Sequence, residues 1–258
     1  MTINSEALID LLASYLYPFA RISAIVVVAP IIGTRIVPAR VKVGLALALT
    51  IIIVPLLPPA HIVEPFSLLG ILTVMTQVLI GVMMGFMLRM VFTAVESGGQ
   101  VIGMTMGLGF AQMNDPANGV VVPVISQFYV VLATLLFLVL NGHLILIEVL
   151  VDSFRSIPID IMDVGTAGLW ELVSWAAWIF KGAVLIALPT VTALLLVNIS
   201  FGVMMRAAPQ LNVFSVGFPV TLMLGFVFIL VSLPVFIPQF TNLLENAFFS
   251  IGRIVQGN

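Results

Sequence analysis

Residues 207–244 read AAPQLNVFSVGFPVTLMLGFVFILVSLPVFIPQFTNLL, 38 residues without one Asp, Glu, Lys or Arg. A helix needs about 20 apolar residues to cross a hydrocarbon layer of about 30 Å. This stretch is almost twice that long, and it shows none of the strict alternation that marks a half-buried strand. It is not isolated. Residues 43–63, 65–88, 116–147 and 182–205 are also free of charge, and 8–33 is interrupted only by Asp10 and Arg21. Charges therefore act as punctuation, and the runs between them predict an all-α fold of the integral-membrane type. The expected long apolar helices have cores at 11–33, 43–57, 66–95, 120–150, 169–201 and 218–238, with a shorter amphipathic helix at 240–255.

Composition carries the same message. Of 258 residues, 62% are hydrophobic and 8% charged, against about 45–50% and about 25% in soluble domains. Too few polar side chains remain to cover a water-facing surface, so a free soluble protein is excluded. The net charge of -2, with no basic cluster beyond Arg35, Arg40 and Lys42, gives no electrostatic footprint for nucleic acid. The absence of cysteine excludes disulfides and thiolate chemistry. The N-terminal MTINSEALID carries Glu6 and Asp10 but no basic residue. It lacks the n-region of a cleavable signal peptide, and the first apolar stretch is expected to be retained. Positive charge collects in the first connection, GTRIVPARVK, which places the first, third and fifth connections on the cytoplasmic side.

The helices do not read as simple lipid-facing rods. Pro18, Pro30, Pro55, Pro123, Pro189 and Pro234 fall in or beside apolar runs, where each removes a backbone hydrogen bond and favours a kink. The segments 66–95 and 120–150 would each span about 45 Å at about 1.5 Å per residue. Bent or broken hairpins fit better than straight spans. Arg21, Arg89, Glu148, Glu171 and Lys181 lie within or near apolar segments, and a charge at a bilayer centre costs about 2.5–3.5 kcal/mol. They should face protein or water, either as a proton or ion relay or as buried pairs between helices or subunits. Arg89 and Glu96, two helical turns apart, would share a face.

Glycine and methionine concentrate in one region. Gly81 and Gly85 form GxxxG, and Gly99, Gly103 and Gly107 extend the spacing, which lets another backbone approach closely. In ESGGQVIGMTMGLGFAQMNDPANG (96–119) six glycines together with Asn114, Asp115 and Pro116 predict a broken helix or re-entrant loop. Such backbone is tolerated at membrane depth only where it is buried in protein or lines a water-filled cavity. Seven of the thirteen methionines fall between 83 and 113. Thioether side chains re-pack easily, as core filling and deformable seals both require. Catalytic signals are poor. His61 and His143 belong to no metal-binding motif, and no nucleophile elbow or phosphate loop is present. No cofactor and no metal is expected.

Four dispersed segments carry a resemblance. In order they are PFARISAIVVVAPIIGTRIVPARVKVGLALALT (18–50), GVMMGFMLRMVFTAVESGGQVIGMTMGLGFAQMNDP (81–116), LNGHLILIEVLVDSFRSIP (140–158) and LPTVTALLLVNISFGVMMRAAPQLNVFSVGFPV (188–220). Over nearly its whole length the chain resembles the FliR/SctT family of type III secretion export-gate proteins, and its flagellar branch in particular. Arg206, Pro209, Gln210, Asn212 and Gly217 carry the most specific part of the match. The resemblance implies a non-enzymatic subunit of the protein-export channel of the bacterial flagellar basal body in the inner membrane. That subunit would be assembled with several copies of FliP and of FliQ into a helical cone, with FlhB, FlhA and unfolded flagellar export substrates as further partners and lipid at the periphery. Residues 1–169 would form a FliP-like part and 170–258 a FliQ-like helical hairpin. The segment 103–122 would supply a pore plug, with Met106, Gly107, Leu108, Gly109, Phe110, Ala111, Gln112, Met113, Asn114, Asp115 and Pro116 as its residues. Phe110, Gln112 and Met113 have the bulk to constrict a pore. Arg21, Arg89, Glu96, Glu148, Lys181, Arg206, Pro209 and Gln210 would be buried-charge or interface positions. The competing reading is a secondary transporter whose discontinuous helix binds a small solute or ion near Asn114, Asp115 and Asn118.

Overall fold

A computed structural model describes residues 5–58, 63–108, 123–159, 166–207 and 213–256. Eight α-helices account for most of these residues: α1 (Ser5–Val28), α2 (Ala39–Ile53), α3 (Leu68–Thr105), α4 (Val124–Val139), α5 (Gly142–Ser156), α6 (Thr166–Trp175), α7 (Ala177–Ala207) and α8 (Val213–Gln256). A short 3-10 turn, Val54–Leu56, extends α2. No strand occurs among the described residues. The protein is all-α, and among the described residues five stretches are long and apolar enough to cross a membrane, or six if α4 and α5 together make one bent span.

Several boundaries differ from the sequence expectation, each for a local reason. The first helix stops at Val28 rather than 33, because Pro30 follows and Ile31 turns into the left-handed region at φ 72°. That conformation is strained for a β-branched residue, and the turn is held by Gly33 N–H donating to the Ala29 carbonyl and by Lys42 Nζ donating to the Gly33 carbonyl at 3.0 Å. The expected segment 120–150 is two helices bent by 64°. The hinge is Asn141, left-handed at φ 56°, whose carbonyl then accepts from the Leu144 and Ile145 amides to start α5. Asn is one of the few residues that enters this region at little cost. The expected segment 169–201 is interrupted at Ala176, where the Ala176 amide bonds to the Val173 carbonyl. By contrast the expected helices at 218–238 and 240–255 are one: α8 runs through Pro219, Pro234 and Pro238 for 44 residues, about 66 Å at about 1.5 Å per residue.

The chain condenses into two compact units. One contains residues 1–90, 138–176 and 245–258, and the other 91–137 and 177–244. Helices α3 and α8 each continue from one unit into the other. In the second unit an aromatic cluster holds the proline-containing part of α8 in helical form. Phe236 stacks on Phe240, Tyr129 of α4 meets Phe236 edge-on at 5.1 Å, and Phe92 of α3 contacts both Phe137 and Phe240. Edge-to-face pairs of this kind add about 0.5–1.5 kcal/mol each beyond their burial, which offsets part of the hydrogen bonds that the prolines forgo. Helices α7 and α8 run antiparallel in this unit: Thr190 Oγ1 meets Ser232 Oγ at 2.9 Å, while Gly182 lies against Leu243.

Helix α3 is the most enclosed long helix. In its most apolar 18-residue stretch 67% of the residues are buried, against 50% for the corresponding stretch of α1, 17% for α2 and 22% for the spans of α6–α7 and α8. The exposed faces of these others are apolar, including Leu47, Ile51, Leu188, Leu196, Phe226 and Leu230. An apolar surrounding for them follows from the hydrophobic effect.

Candidate functional site

Helix α3 does end inside the glycine-rich stretch 96–119, ten residues beyond the expected core at 66–95. It passes through Gly98, Gly99 and Gly103 and ends at Thr105. The glycines serve close approach. A methyl group built on Gly99 would stand 2.6 Å from the Ser126 Cα at the start of α4, and one on Gly98 would stand 3.1 Å from the Ala183 carbonyl oxygen of α7. The earlier pair behaves the same way in the other unit. A side chain on Gly81 would overlap the Arg21 carbonyl oxygen, and one on Gly85 would press on Val28 at the end of α1 and on the Ala29 amide just after it. All of these positions follow the small-residue rule for tight helix contact.

The end of α3 is a defined cap. Leu108 N–H donates to the Gly103 carbonyl at 3.1 Å and Gly107 N–H to the Met104 carbonyl at 3.0 Å. With Gly107 at φ 87°, this is the two-bond Schellman arrangement, in which glycine takes the left-handed position that other residues adopt at a cost. Met106, just before the cap, is fully buried. Its side chain lies on Gly225 of α8, where an added methyl would stand 2.6 Å from Cε, 2.7 Å from Cγ and 3.0 Å from Sδ. Of the expected plug, Met106, Gly107 and Leu108 are thus placed at the foot of α3. Gly109, Phe110, Ala111, Gln112, Met113, Asn114, Asp115 and Pro116 lie outside the described residues, as does Asn118. The methionines upstream, Met83, Met84, Met87 and Met90, are core residues of α3, whereas Met104 is exposed.

Arg21 is the charged residue with the most developed environment. It is fully buried on α1. Nε donates to Gln77 Oε1 of α3 at 2.8 Å, Nη1 to the Ser153 carbonyl at 2.7 Å and to Ser153 Oγ at 3.0 Å, and Nη2 to the Ile157 carbonyl at 2.9 Å. The guanidinium also covers the Phe154 ring at 4.2 Å. No carboxylate stands among these partners. The cation is instead placed at the C-terminus of α5, where the last carbonyls and the helix dipole favour positive charge. The planar five-donor fork of arginine suits this task in a way that a lysine ammonium does not.

The other candidates are more exposed. Arg89, Glu96, Glu148, Lys181 and Arg206 all sit on exposed positions of their helices, and Lys181 lies over the Trp178 ring at 3.9 Å. Glu171, half-buried, faces Arg253 at 3.5 Å. Arg89 and Glu96, two turns apart on α3, are both exposed. Pro209 and Gln210 lie outside the described residues. His143 is half-buried near the start of α5. Among the described residues no cluster of three or more His, Asp or Glu could hold a metal ion. Sequence reasoning missed Gly225, Gln77 and Ser153. Gly225 had a legible signal, a lone glycine within a long apolar run, while Gln77 and Ser153 had none.

Comparison with known proteins supplies what geometry does not. Residues 12–247 match the model of the family described as bacterial export proteins, family 1. The chain is 38% identical over 255 residues to the flagellar biosynthetic protein FliR of Escherichia coli (strain K12), covering 99% of this chain and 97% of that protein. It is 32% identical over 237 residues to the protein of the same name from Bacillus subtilis (strain 168), covering 89% and 90%. It is 28% identical over 245 residues to that of Aquifex aeolicus (strain VF5), covering 95% and 93%.

Proposed function

The chain belongs to the bacterial export proteins, family 1, a membership that gives it a role in flagellar protein export, and from it we propose a non-enzymatic channel subunit closed by the segment after α3. In this reading the chain assembles with several copies each of FliP and FliQ, in contact with FlhB and FlhA. The assembly belongs to the inner membrane and the flagellar basal body, and unfolded flagellar export substrates are its cargo. Residues 1–169 form the FliP-like part and 170–258 the FliQ-like part; the antiparallel pairing of α7 with α8 supports the second assignment. The exposed apolar faces of α2, α7 and α8 support burial against neighbouring subunits and lipid.

One observation carries the closure role. The long helix α3 stops at the Gly107 cap, so that the Gly/Met-rich segment begins from a capped helix end next to the fully buried Met106. A seal needs yielding backbone held by unyielding supports, and soft thioether side chains suit it. Residues 106–116 form the plug in this proposal, and Arg89, Glu96, Glu148, Lys181, Arg206, Pro209 and Gln210 serve as interface positions.

Deleting residues 109–113, which spares the Gly107 cap, tests the proposal. The assembled complex carrying the deletion should conduct ions across the membrane at rest, and an unchanged conductance in a correctly assembled complex would refute the closure role. The secondary-transporter reading predicts instead that the purified chain alone binds or moves a small solute.

A further inference from the structure

Arg35, Arg40 and Lys42, three of the nine basic residues, lie within eight positions of one another, and no Asp or Glu occurs between Asp10 and Glu64. The turn between α1 and α2 gathers them at one end of a helical hairpin. Lys42 is engaged internally, donating to the Gly33 carbonyl at 3.0 Å. Arg35 and Arg40 are exposed, and no carboxylate among the described residues pairs with either. Folding gives no reason for Arg40. It stands in the first turn of α2, an end with no acidic residue and no side-chain cap, where the helix dipole disfavours a cation. Ile36, between the two arginines, is 90% exposed.

The height of the hairpin gives this patch its surroundings. The apolar stretches Leu11–Val28 and Ala39–Leu56 are 18 residues each, about 27 Å at about 1.5 Å per residue, close to a hydrocarbon thickness of about 30 Å. A hairpin of that height that crosses the layer sets its turn at the membrane surface. Helix α3 carries a cation near the same level. Gly85 lies against Val28 and the Ala29 amide, and Arg89, one helical turn further on, is exposed. On α2 the exposed apolar side chains of Leu47, Ile51 and Ile52 lead up to the turn. An apolar face therefore ends in a positive rim, the order in which acyl chains and phosphates follow one another in a leaflet.

We propose that the α1–α2 turn is a docking surface for anionic phospholipid headgroups, whose phosphates Arg35 and Arg40 engage while Ile36 enters the layer beside them. The guanidinium fork pairs with two phosphate oxygens at once. This inference needs only that the apolar hairpin lies in a membrane, and it is independent of the closure role.

The test uses the assembled complex. The chain has no cysteine, so Ile36→Cys places one fluorophore on the turn, and the complex with the cysteine-free chain supplies the background. The labelled complex is reconstituted into nanodiscs of phosphatidylcholine and phosphatidylglycerol, with brominated, quenching acyl chains on one lipid or the other. One basic residue near an anionic surface contributes about 1 kcal/mol, which is about fivefold. Brominated phosphatidylglycerol should therefore reach half-maximal quenching at a mole fraction about fivefold or more below that of brominated phosphatidylcholine. Arg35→Gln combined with Arg40→Gln should remove most of that preference, as should about 1 M salt, which screens exposed charges beyond about 3 Å. Arg155→Gln, at an exposed arginine of α5 in the same unit, should leave it unchanged. Equal quenching by the two lipids overturns the proposal, because the turn then meets lipid without reading its headgroup. Quenching by neither also overturns it and puts a protein neighbour over the turn, which leaves the subunit reading standing. If the double variant fails to assemble, the complex carrying the label alone decides, and a preference that salt leaves intact overturns the role of the arginines.

Discussion

Replacing Arg21 with methionine keeps an unbranched stem of similar reach and removes all four hydrogen bonds of the guanidinium. The Ser153 carbonyl still accepts from the Ile157 amide at 3.0 Å, so it retains a partner. The Ile157 carbonyl and Gln77 Oε1 lose the donors that Arg21 supplies. Each buried acceptor left without a donor costs about 1–3 kcal/mol, which gives about 2–6 kcal/mol for the pair. Loss of the contact with Phe154 adds a smaller amount, and relief from burying a cation acts in the opposite direction. The expected net loss is about 3 kcal/mol, at the upper end of ordinary single-substitution effects, as breaking a buried hydrogen-bond network gives. For a chain of this size that corresponds to a fall in Tm of roughly 6–12 °C. The assay is thermal unfolding of the detergent-purified chain, followed by tryptophan fluorescence, to which Trp175, buried in the same unit as Arg21, contributes. Arg21→Lys should fall between the two, because an ammonium cannot span Gln77, Ser153 and Ile157 at once. A methionine variant as stable as the parent, or more stable, would refute the view that Arg21 joins α1, α3 and the end of α5.

The glycines supply a graded series. Gly99→Ala forces the Ser126 backbone to move and should cost about 1–3 kcal/mol, whereas Gly103→Ala meets only the Ile125 side chain at 3.6 Å and should raise the unfolding midpoint by about 1–4 °C through helix propensity. Gly44→Ala in α2, with nothing within 4 Å of the added methyl, should stabilise the isolated chain by about 0.5–1 kcal/mol through helix propensity alone; a loss of stability there would show that the face is already packed. Gly107→Ala should cost about 1–2 kcal/mol, the penalty for a left-handed alanine, and should raise hydrogen exchange at Leu108 and Gly107, whose amides form the cap.

Much of the fold was legible because charges are so few. The spans at α2, α3, α7 and α8 lie where uncharged runs lie, and the chain is helical throughout most of the described residues, as uniform hydrophobicity requires. The bend within 120–150 was half legible: Asn141-Gly142 is a turn signal, but the apolar residues on both sides mask it. Proline misleads at 234. A lost backbone bond breaks a helix only when packing does not hold its two sides in line; here Ser232 is held to Thr190 before the proline and Phe236 to Tyr129 after it. At Gly99 the small-residue spacing does mark contact with a neighbouring backbone, and the helix end expected within 96–119 falls at Thr105. The partners of Arg21 could not be read at all. Two of them are backbone carbonyls 132 and 136 residues away, and a carbonyl has no sequence signature. The same holds for the seat of Met106 on Gly225, a relation between one side chain and the absence of another.

The role of the chain as one component of a hetero-oligomeric export channel is tested most directly by the mass and subunit stoichiometry of the complex isolated from membranes through a tag on this chain. The account predicts one copy of the chain together with several copies of smaller apolar proteins. A monomer, or a symmetric dimer of this chain alone, would contradict it.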